Sequence, residues 1–128
     1  MSIIAAFTPD QHGRAAVTHA AAEARGTRER LVVLNLTSGQ SLVDRGFADE
    51  SDIASLTETL RSDGVDVDVR HDVVPDVADA ILQAAETERA RLIVVGVRRR
   101  TPVGKLIMGS VSQRVILEAD CPVLAVKS

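Results

Sequence analysis

Aromatic side chains are nearly absent from this sequence, which has two Phe and neither Tyr nor Trp among 128 residues. Val, Ile, Leu and Ala must therefore build the core, and this favours buried parallel strands covered by Ala-rich helices. The shortage also removes the stacking platforms on which single-strand nucleic-acid-binding proteins hold bases. Because the net charge is −3, general nucleic-acid binding is disfavoured as well, and we expect no nucleic-acid partner.

Cysteine and long apolar runs are also scarce. The single cysteine, Cys121, cannot form an intramolecular disulfide, which is typical of intracellular proteins. No apolar run approaches the roughly 20 residues of a membrane-spanning helix, and the first residues lack the basic segment of a signal peptide. We therefore expect a cytoplasmic protein with no membrane partner. The length fits one domain over residues 1–128 with an ordinary hydrophobic core.

Five short apolar runs predict five β-strands. Four of them are nearly continuous in apolar residues, as strands buried on both faces are. The third alternates apolar and acidic residues, so one of its faces meets water and we expect it at an edge of the sheet. In chain order the runs are Ile3–Phe7, Leu31–Leu36, Val65–Val69, Leu92–Val95 and Val123–Val126.

Helical patterns separate these runs. The first helix is predicted to end at Gly26 and the second at Gly64. The third is predicted to begin after Asp76 as its N-cap, and the fourth at Ser110, which forms a capping-box pattern with Gln113. The predicted inward-facing residues are Ala16, Val17, Ala20, Ala21 and Ala24; Ile53, Leu56 and Leu60; Val77, Ile81, Ala84 and Ala85; and Val111, Val115 and Ile116.

Regular alternation of strand and helix predicts an α/β fold. We expect a doubly wound, Rossmann-like five-stranded parallel sheet of order 3-2-1-4-5, with helices on both faces. Such sheets bind ligands beyond the carboxyl ends of the strands, where the strand order reverses. Here that point lies between the first and fourth strands. The loop Thr8-Pro9-Asp10 and the stretch over residues 96–112 would form it.

The stretch over residues 96–112 combines glycines, hydroxyl groups and positive charge. Gly96 follows a buried strand, and Gly109 with Ser110 opens a helix, whose free N–H groups and dipole suit a phosphate. Ser112 adds a hydroxyl, and Arg98, Arg99, Arg100 and Lys105 add charge without an acid among them. The alternative is structural: a strand-end turn, a helix cap and solvated arginines. A P-loop is excluded, because Arg99 and Leu106 stand where it needs Gly and Ser or Thr.

Nearly the whole chain resembles the universal stress protein family. The resemblance is carried by Leu92-Ile93-Val94-Val95-Gly96, by Gly109 to Val115, and by Ala119-Asp120-Cys121-Pro122-Val123-Leu124-Ala125-Val126. The family's nucleotide motif is Gly-x2-Gly-x9-Gly-Ser/Thr, and Gly96, Gly109 and Ser110 match it in type and spacing. Arg99 stands in place of the second Gly, and Thr8 stands where family members commonly carry Asp.

The resemblance implies an adenine nucleotide alpha hydrolase-like fold that binds ATP, with Mg²⁺ accompanying it. Adenine would lie near Thr8 and Leu36, beside the Pro9-Asp10 turn. Arg99 would either crowd the phosphates or pair with them, and both readings stay open. Similar proteins also form a homodimer through the C-terminal strand. The resemblance places ribose and phosphates along Gly96, Arg98, Arg99, Gly109, Ser110, Val111 and Ser112.

Three functional interpretations remain at this stage. The first is a nucleotide-binding stress-response switch or scaffold that acts on a protein partner the sequence does not reveal. The second is a dimeric adaptor of the same fold that binds no nucleotide. The third is a weak ATPase or self-phosphorylating protein. No catalytic constellation supports the third, since Asp10 is the only carboxylate near the expected site, and at most slow ATP hydrolysis is expected.

Overall fold

The computed structural model describes residues 1–39, 47–97 and 109–128. Within these ranges five strands alternate with four helices, which confirms the predicted α/β pattern. The elements are β1 (Ser2–Ala6), α1 (Gln11–Thr27), β2 (Arg30–Thr37), α2 (Glu50–Ser62), β3 (Val67–Val73), α3 (Val77–Thr87), β4 (Ala90–Val97), α4 (Ser110–Glu118) and β5 (Val123–Lys127).

The strands form one parallel sheet of order β3-β2-β1-β4-β5. This confirms the predicted doubly wound topology, with β1 and β4 as central neighbours. The predicted edge position of β3 is also confirmed. Val67 and Val69 of β3 pack against the core, whereas Asp68 and Arg70 lie on the opposite face and pair with each other.

A separate apolar layer covers each face of the sheet. On one face α1 and α2 pack against the strands, and the predicted stripe of α1 is entirely buried: Ala16, Val17, Ala20, Ala21 and Ala24. On the other face Ile81 and Ala84 of α3 and Val115 of α4 pack against Ile4, Val32, Leu34, Ile93, Val95 and Val97. Aliphatic residues thus fill both layers, as the shortage of aromatics requires.

Three details of the helices differ from the sequence prediction. Helix α1 runs past Gly26, and Arg28 takes the left-handed position that ends it, with φ of 57°. Helix α4 begins at Ser110 as predicted, but its N-cap is Gly109, so the predicted capping box at Ser110 is wrong. Ile116 was predicted to face inward but is 36% exposed. The predicted roles of Asp76 as N-cap and of Gly64, with φ of 81°, as the residue after α2 are confirmed.

A buried amide connects the carboxyl end of β1 to the segment that enters α2. Asn35 on β2 is fully buried, donates from Nδ2 to the Phe7 carbonyl at 2.8 Å, and accepts the Ala48 N–H at Oδ1 at 2.8 Å. The Ala48 carbonyl lies 2.6 Å from Nε2 of His71 on β3, whose ring stacks on Phe47. These contacts fix the chain at the carboxyl ends of three neighbouring strands.

We predict that Asn35→Leu destabilises the fold although Leu fills a similar volume. The substitution leaves the Phe7 carbonyl and the Ala48 N–H buried without this partner, and each such group costs about 1–3 kcal/mol. Urea unfolding monitored by circular dichroism measures the free energy of unfolding directly. A variant as stable as the parent would show that neither backbone group depends on the amide.

Candidate functional site

A cleft of about 370 Å³ lies at the carboxyl ends of β1 and β4, where the strand order reverses. The first turn of α1 bounds it on one side, and α3 and the start of α4 bound it on the other. The residues that line it are Ala6, Phe7, Thr8, Asp10, His12, Gly13, Leu34, Leu36, Ser38, Val77, Ile81, Gly96, Gly109, Ser110, Val111 and Ser112. The cleft therefore occupies the position that the topology predicts for a ligand.

The lining of the cleft divides into an apolar and a polar half. Leu34 and Leu36 at the end of β2, with Val77 and Ile81 of α3, form an apolar wall. The polar half consists of Thr8 and Asp10 on the α1 side and of the first turn of α4, which lies on the same side of the cleft as α3. Such a site suits a ligand with one flat apolar portion and one strongly polar portion.

The N-terminus of α4 differs from that of every other helix in the described ranges. Carboxylates cap the other three: Asp10, Asp49 and Asp76 each accept a backbone N–H at the third helical position. The N-cap of α4 is Gly109, and no side chain caps this helix by a hydrogen bond. Because the first N–H groups of a helix have no partner within the helix, those of α4 remain available to a ligand in the cleft. The helix dipole makes an anion the favoured occupant.

Asp10 is committed to a structural role at the edge of the cleft. Its Oδ1 accepts the Gly13 N–H at 2.9 Å and the Thr8 hydroxyl at 2.9 Å. Burial alone would raise the pKa of this carboxyl, but these two donors, together with the nearby His12, lower the pKa below its ordinary value. Asp10 is therefore ionised at neutral pH and acts as the cap of α1, which leaves it poorly suited to act as a general base.

Two glycines allow backbone segments to approach closely beneath the cleft. A Cβ atom on Gly96 would overlap the carbonyl group of His12, and one on Gly13 would overlap the backbone of Thr8. Gly96 still belongs to β4. Glycine is needed there because α1 packs too closely against this strand to leave room for a side chain. Both positions keep the first turn of α1 against the ends of β1 and β4, and that contact shapes the floor of the cleft.

His12 connects the cleft with the chain beyond the edge strand β5. Its Nδ1 lies 2.6 Å from the hydroxyl oxygen of Ser128, which is hydrogen-bonding distance. The ring also contributes to the lining of the cleft. The end of the described chain is thereby held close to α1.

Most residues that the sequence placed at the site are brought together in the cleft: Thr8, Asp10, Leu36, Gly96, Gly109, Ser110, Val111 and Ser112. Pro9 does not line it. Pro9 instead borders a different hollow beside α2, with Leu56 and Thr59. Arg98 and Arg99 lie outside the described residues.

Several cleft residues were not identified from the sequence as parts of a site. Leu34, Val77 and Ile81 were recognised only as core residues, since their apolar pattern does not distinguish a core contact from the wall of a binding cleft. The sequence could have indicated that another part of the chain packs closely on Gly13. Glycine in the first turn of an Ala-rich helix weakens that helix, and such a glycine usually has a packing or functional reason.

A second hollow, of about 410 Å³, lies between the C-terminal parts of α3 and α4. Its lining includes Cys121 and one basic residue, Arg89, but the acidic residues Glu86, Glu118 and Asp120 outnumber it and oppose binding of a phosphate. Burial raises the pKa of the Cys121 thiol, so this group is a poor nucleophile at neutral pH. The cleft at the strand ends therefore remains the better candidate.

The described residues lack two features that would point to other functions. No group of three or more His, Cys, Asp or Glu side chains there is placed to hold a metal ion. None of the helices in those ranges has the length and apolar character needed to cross a membrane.

Comparisons with known proteins agree with the fold. The family model described as "Universal stress protein family" matches residues 1–127. A universal stress protein from Mycolicibacterium smegmatis is 41% identical over 125 residues, which cover 98% of this chain and 96% of the relative.

Solved structures give the same result. The universal stress protein from Archaeoglobus fulgidus superposes with a TM-score of 0.73 at 30% identity, covering 98% of this chain and 97% of that one. A structure of the Archaeoglobus fulgidus protein in complex with dAMP gives a TM-score of 0.67 at 25% identity, covering 98% and 96%. With the family model spanning residues 1–127 and a relative of 41% identity over nearly its full length, this chain belongs to the universal stress protein family.

Proposed function

We propose that this protein is a nucleotide-binding stress-response switch or scaffold that holds ATP in the cleft at the ends of β1 and β4. The observation that carries the proposal is the N-terminus of α4, which opens into this cleft without a capping side chain. Nucleotide occupancy would alter the cleft walls and so bias the binding of a protein partner in the cytoplasm.

The two halves of the cleft match the two parts of an adenine nucleotide. The base fits the apolar wall of Leu36, Val77 and Ile81 near Thr8, where a flat ring replaces water against aliphatic surface. The phosphates fit the N–H groups of Ser110, Val111 and Ser112 and the two serine hydroxyls. Arg98 and Arg99 would add charge to the same phosphates, and Mg²⁺ would accompany a triphosphate.

A relative supports an adenine-containing ligand. The Archaeoglobus fulgidus structure in complex with dAMP covers nearly all of this chain. A monophosphate would make only some of the phosphate contacts expected here, because the first turn of α4 and the arginines that precede it in sequence favour further negative charge. We therefore assign ATP as the preferred ligand over AMP.

We further propose that the protein acts as a homodimer through β5. This strand lies at the edge of the sheet, with Leu124 38% exposed. Leu117 and Ile116 on α4 are exposed as well. An apolar edge strand left open to water invites pairing with another chain, and a second copy of β5 is the simplest partner.

The ligand prediction compares ATP, AMP and adenosine by thermal unfolding at equal concentration. We expect ATP to raise Tm most and adenosine least, because only the phosphates contact the first turn of α4. A ligand at 100 times its Kd stabilises the native state by about 2.7 kcal/mol, which corresponds to several degrees for a domain of this size. Equal shifts for ATP and adenosine would refute the phosphate contact, and no shift with any of them would favour the adaptor function.

The site prediction concerns Gly109→Val. Gly109 has a φ of −65°, which any residue can adopt, and a Cβ atom there meets no atom of the described residues within 4 Å. The Val side chain would therefore occupy the approach of a phosphate without disturbing the fold. We expect titration calorimetry to detect no ATP binding by this variant, with Tm close to that of the parent.

Gly26→Val is the matched control for this test. A Cβ atom at Gly26 in α1 likewise meets nothing within 4 Å, and the position is remote from the cleft lining. This control should bind ATP like the parent. ATP binding of parental strength by Gly109→Val would place the phosphates elsewhere.

The assembly prediction is a dimer that Leu124→Lys weakens. Burying a charged side chain in an apolar strand-to-strand interface is unfavourable, so multi-angle light scattering should show a larger monomer fraction for the variant at micromolar concentration. Val73→Lys is the control, since Val73 is 66% exposed at the end of the opposite edge strand β3. A monomeric parent protein would contradict the homodimer.

A further inference from the structure

One arginine makes hydrogen bonds to three carboxylates on two helices beside the cleft. Arg114 of α4 donates from NH1 to both carboxylate oxygens of Asp76, at 3.0 and 3.1 Å, and from NH2 to Asp79 at 2.6 Å. Its Nε donates to Glu118 at 3.0 Å on its own helix. These bonds raise the pKa of the Arg114 guanidinium above its ordinary value.

The two interhelical bonds end at the first turn of α3. Asp76 is the N-cap of α3 and also accepts the Asp79 N–H at 3.0 Å. The next residue, Val77, belongs to the apolar wall of the cleft. Arg114 is therefore bonded to the part of α3 that begins this wall.

The other end of the connection lies one turn into α4. Arg114 follows Ser110 by four residues, so the two side chains lie on one face of the helix, a turn apart. Arg114, Ser110 and Val111 border a hollow of about 280 Å³ that shares Ser38, Val77, Ser110 and Val111 with the cleft. The guanidinium thus joins the two helix starts between which the polar part of a ligand would enter.

Stability alone does not account for this arrangement. The side chains of Arg114, Asp76 and Asp79 are 39%, 47% and 57% exposed, and ion pairs that meet water contribute little to the free energy of unfolding. The cluster instead has a geometric effect, because a planar guanidinium fixes the relative position of several carboxylates at once. Without the guanidinium the three carboxylates would repel one another across α3 and α4.

We propose that Arg114 is a positioning residue for phosphate binding. It holds the first turn of α4 against the first turn of α3, and thereby fixes where the N–H groups of Ser110, Val111 and Ser112 point. The inference rests on the proposed nucleotide function and deepens it, since it assigns a role to a residue outside the cleft lining. Arg114 itself contacts carboxylates and not the ligand.

Two substitutions of Arg114, one that keeps its charge and one that removes it, distinguish positioning of the α4 N–H groups from direct attraction of the phosphates by the charge. Lys keeps the positive charge but has no planar fork, so it cannot bond both acids of α3 in this geometry. We expect Arg114→Lys and Arg114→Gln to weaken ATP binding alike, by about tenfold, as for one misplaced charge-assisted hydrogen bond. Adenosine affinity should stay at the parental value in both variants, because adenosine does not use the α4 N–H groups.

Arg91→Lys is the matched control. Arg91 of β4 bonds Glu29 and lies 3.6 Å from Glu23, so it too joins elements through acids, of which Glu23 is exposed and Glu29 largely buried. It stands near the amino end of its strand, away from the cleft. This variant should keep parental affinity for both ligands. If Arg114→Lys binds ATP like the parent and Arg114→Gln does not, the positive charge attracts the phosphates directly and the positioning role is wrong. Equal losses of ATP and adenosine affinity would also overturn the proposal.

A measurement without ligand separates this inference from the proposed function. The Gln113 N–H donates to the Gly109 carbonyl at 3.0 Å and closes the first turn of α4. Hydrogen exchange at this amide should be faster in Arg114→Lys than in the parent or in Arg91→Lys. If the parent protein binds no ATP, the proposed function fails, while unchanged exchange at Gln113 would overturn the positioning role by itself.

Discussion

The close backbone contact between the first turn of α1 and the ends of β1 and β4 is the constraint on which the cleft depends. Gly13 packs on the backbone of Thr8, and Gly96 packs on the carbonyl of His12, and neither position has room for a Cβ atom. This contact brings the Thr8 to Asp10 turn level with the end of β4. Without it, α1 would lie farther from the sheet and would no longer form one side of the cleft.

Helix capping distributes polar groups unevenly around this contact. Asp10, Asp49 and Asp76 satisfy the starts of α1, α2 and α3 with carboxylates, so those helix ends repel a further anion. Gly109 leaves the start of α4 open. Under the proposed function, an anion would therefore bind at α4, the one helix start without a carboxylate cap in the described ranges, and the carboxylates of α3 bond Arg114 beside it. The same small set of capping residues would then serve both the fold and the choice of ligand.

Sequence reasoning succeeded where the physical cause is local or periodic. The burial of the α1 stripe, the edge position of β3 and the cap at Asp76 follow from residue spacing, because apolar periodicity and N-cap chemistry act over a few residues. It failed at the end of α1 and at the N-cap of α4. Arg28 adopts the left-handed conformation in place of Gly26, and Gly109 is the N-cap of α4 in place of Ser110. Helix ends fray, so residue patterns fix their last residues poorly.

Residue patterns alone were enough to predict the alternation of strand and helix, the aliphatic core, the sheet order and the end of the sheet at which the cleft lies. Which side chains meet there depends on the tertiary structure. The apolar pattern identifies the cleft residues Leu34, Val77 and Ile81 only as core residues. Pro9 lies beside α2 and not in the cleft. The bond from Arg114 to Asp76 joins residues 38 positions apart in sequence. The reason is that a local pattern fixes the face on which a residue lies, whereas the partner on that face depends on how separate helices pack across the sheet.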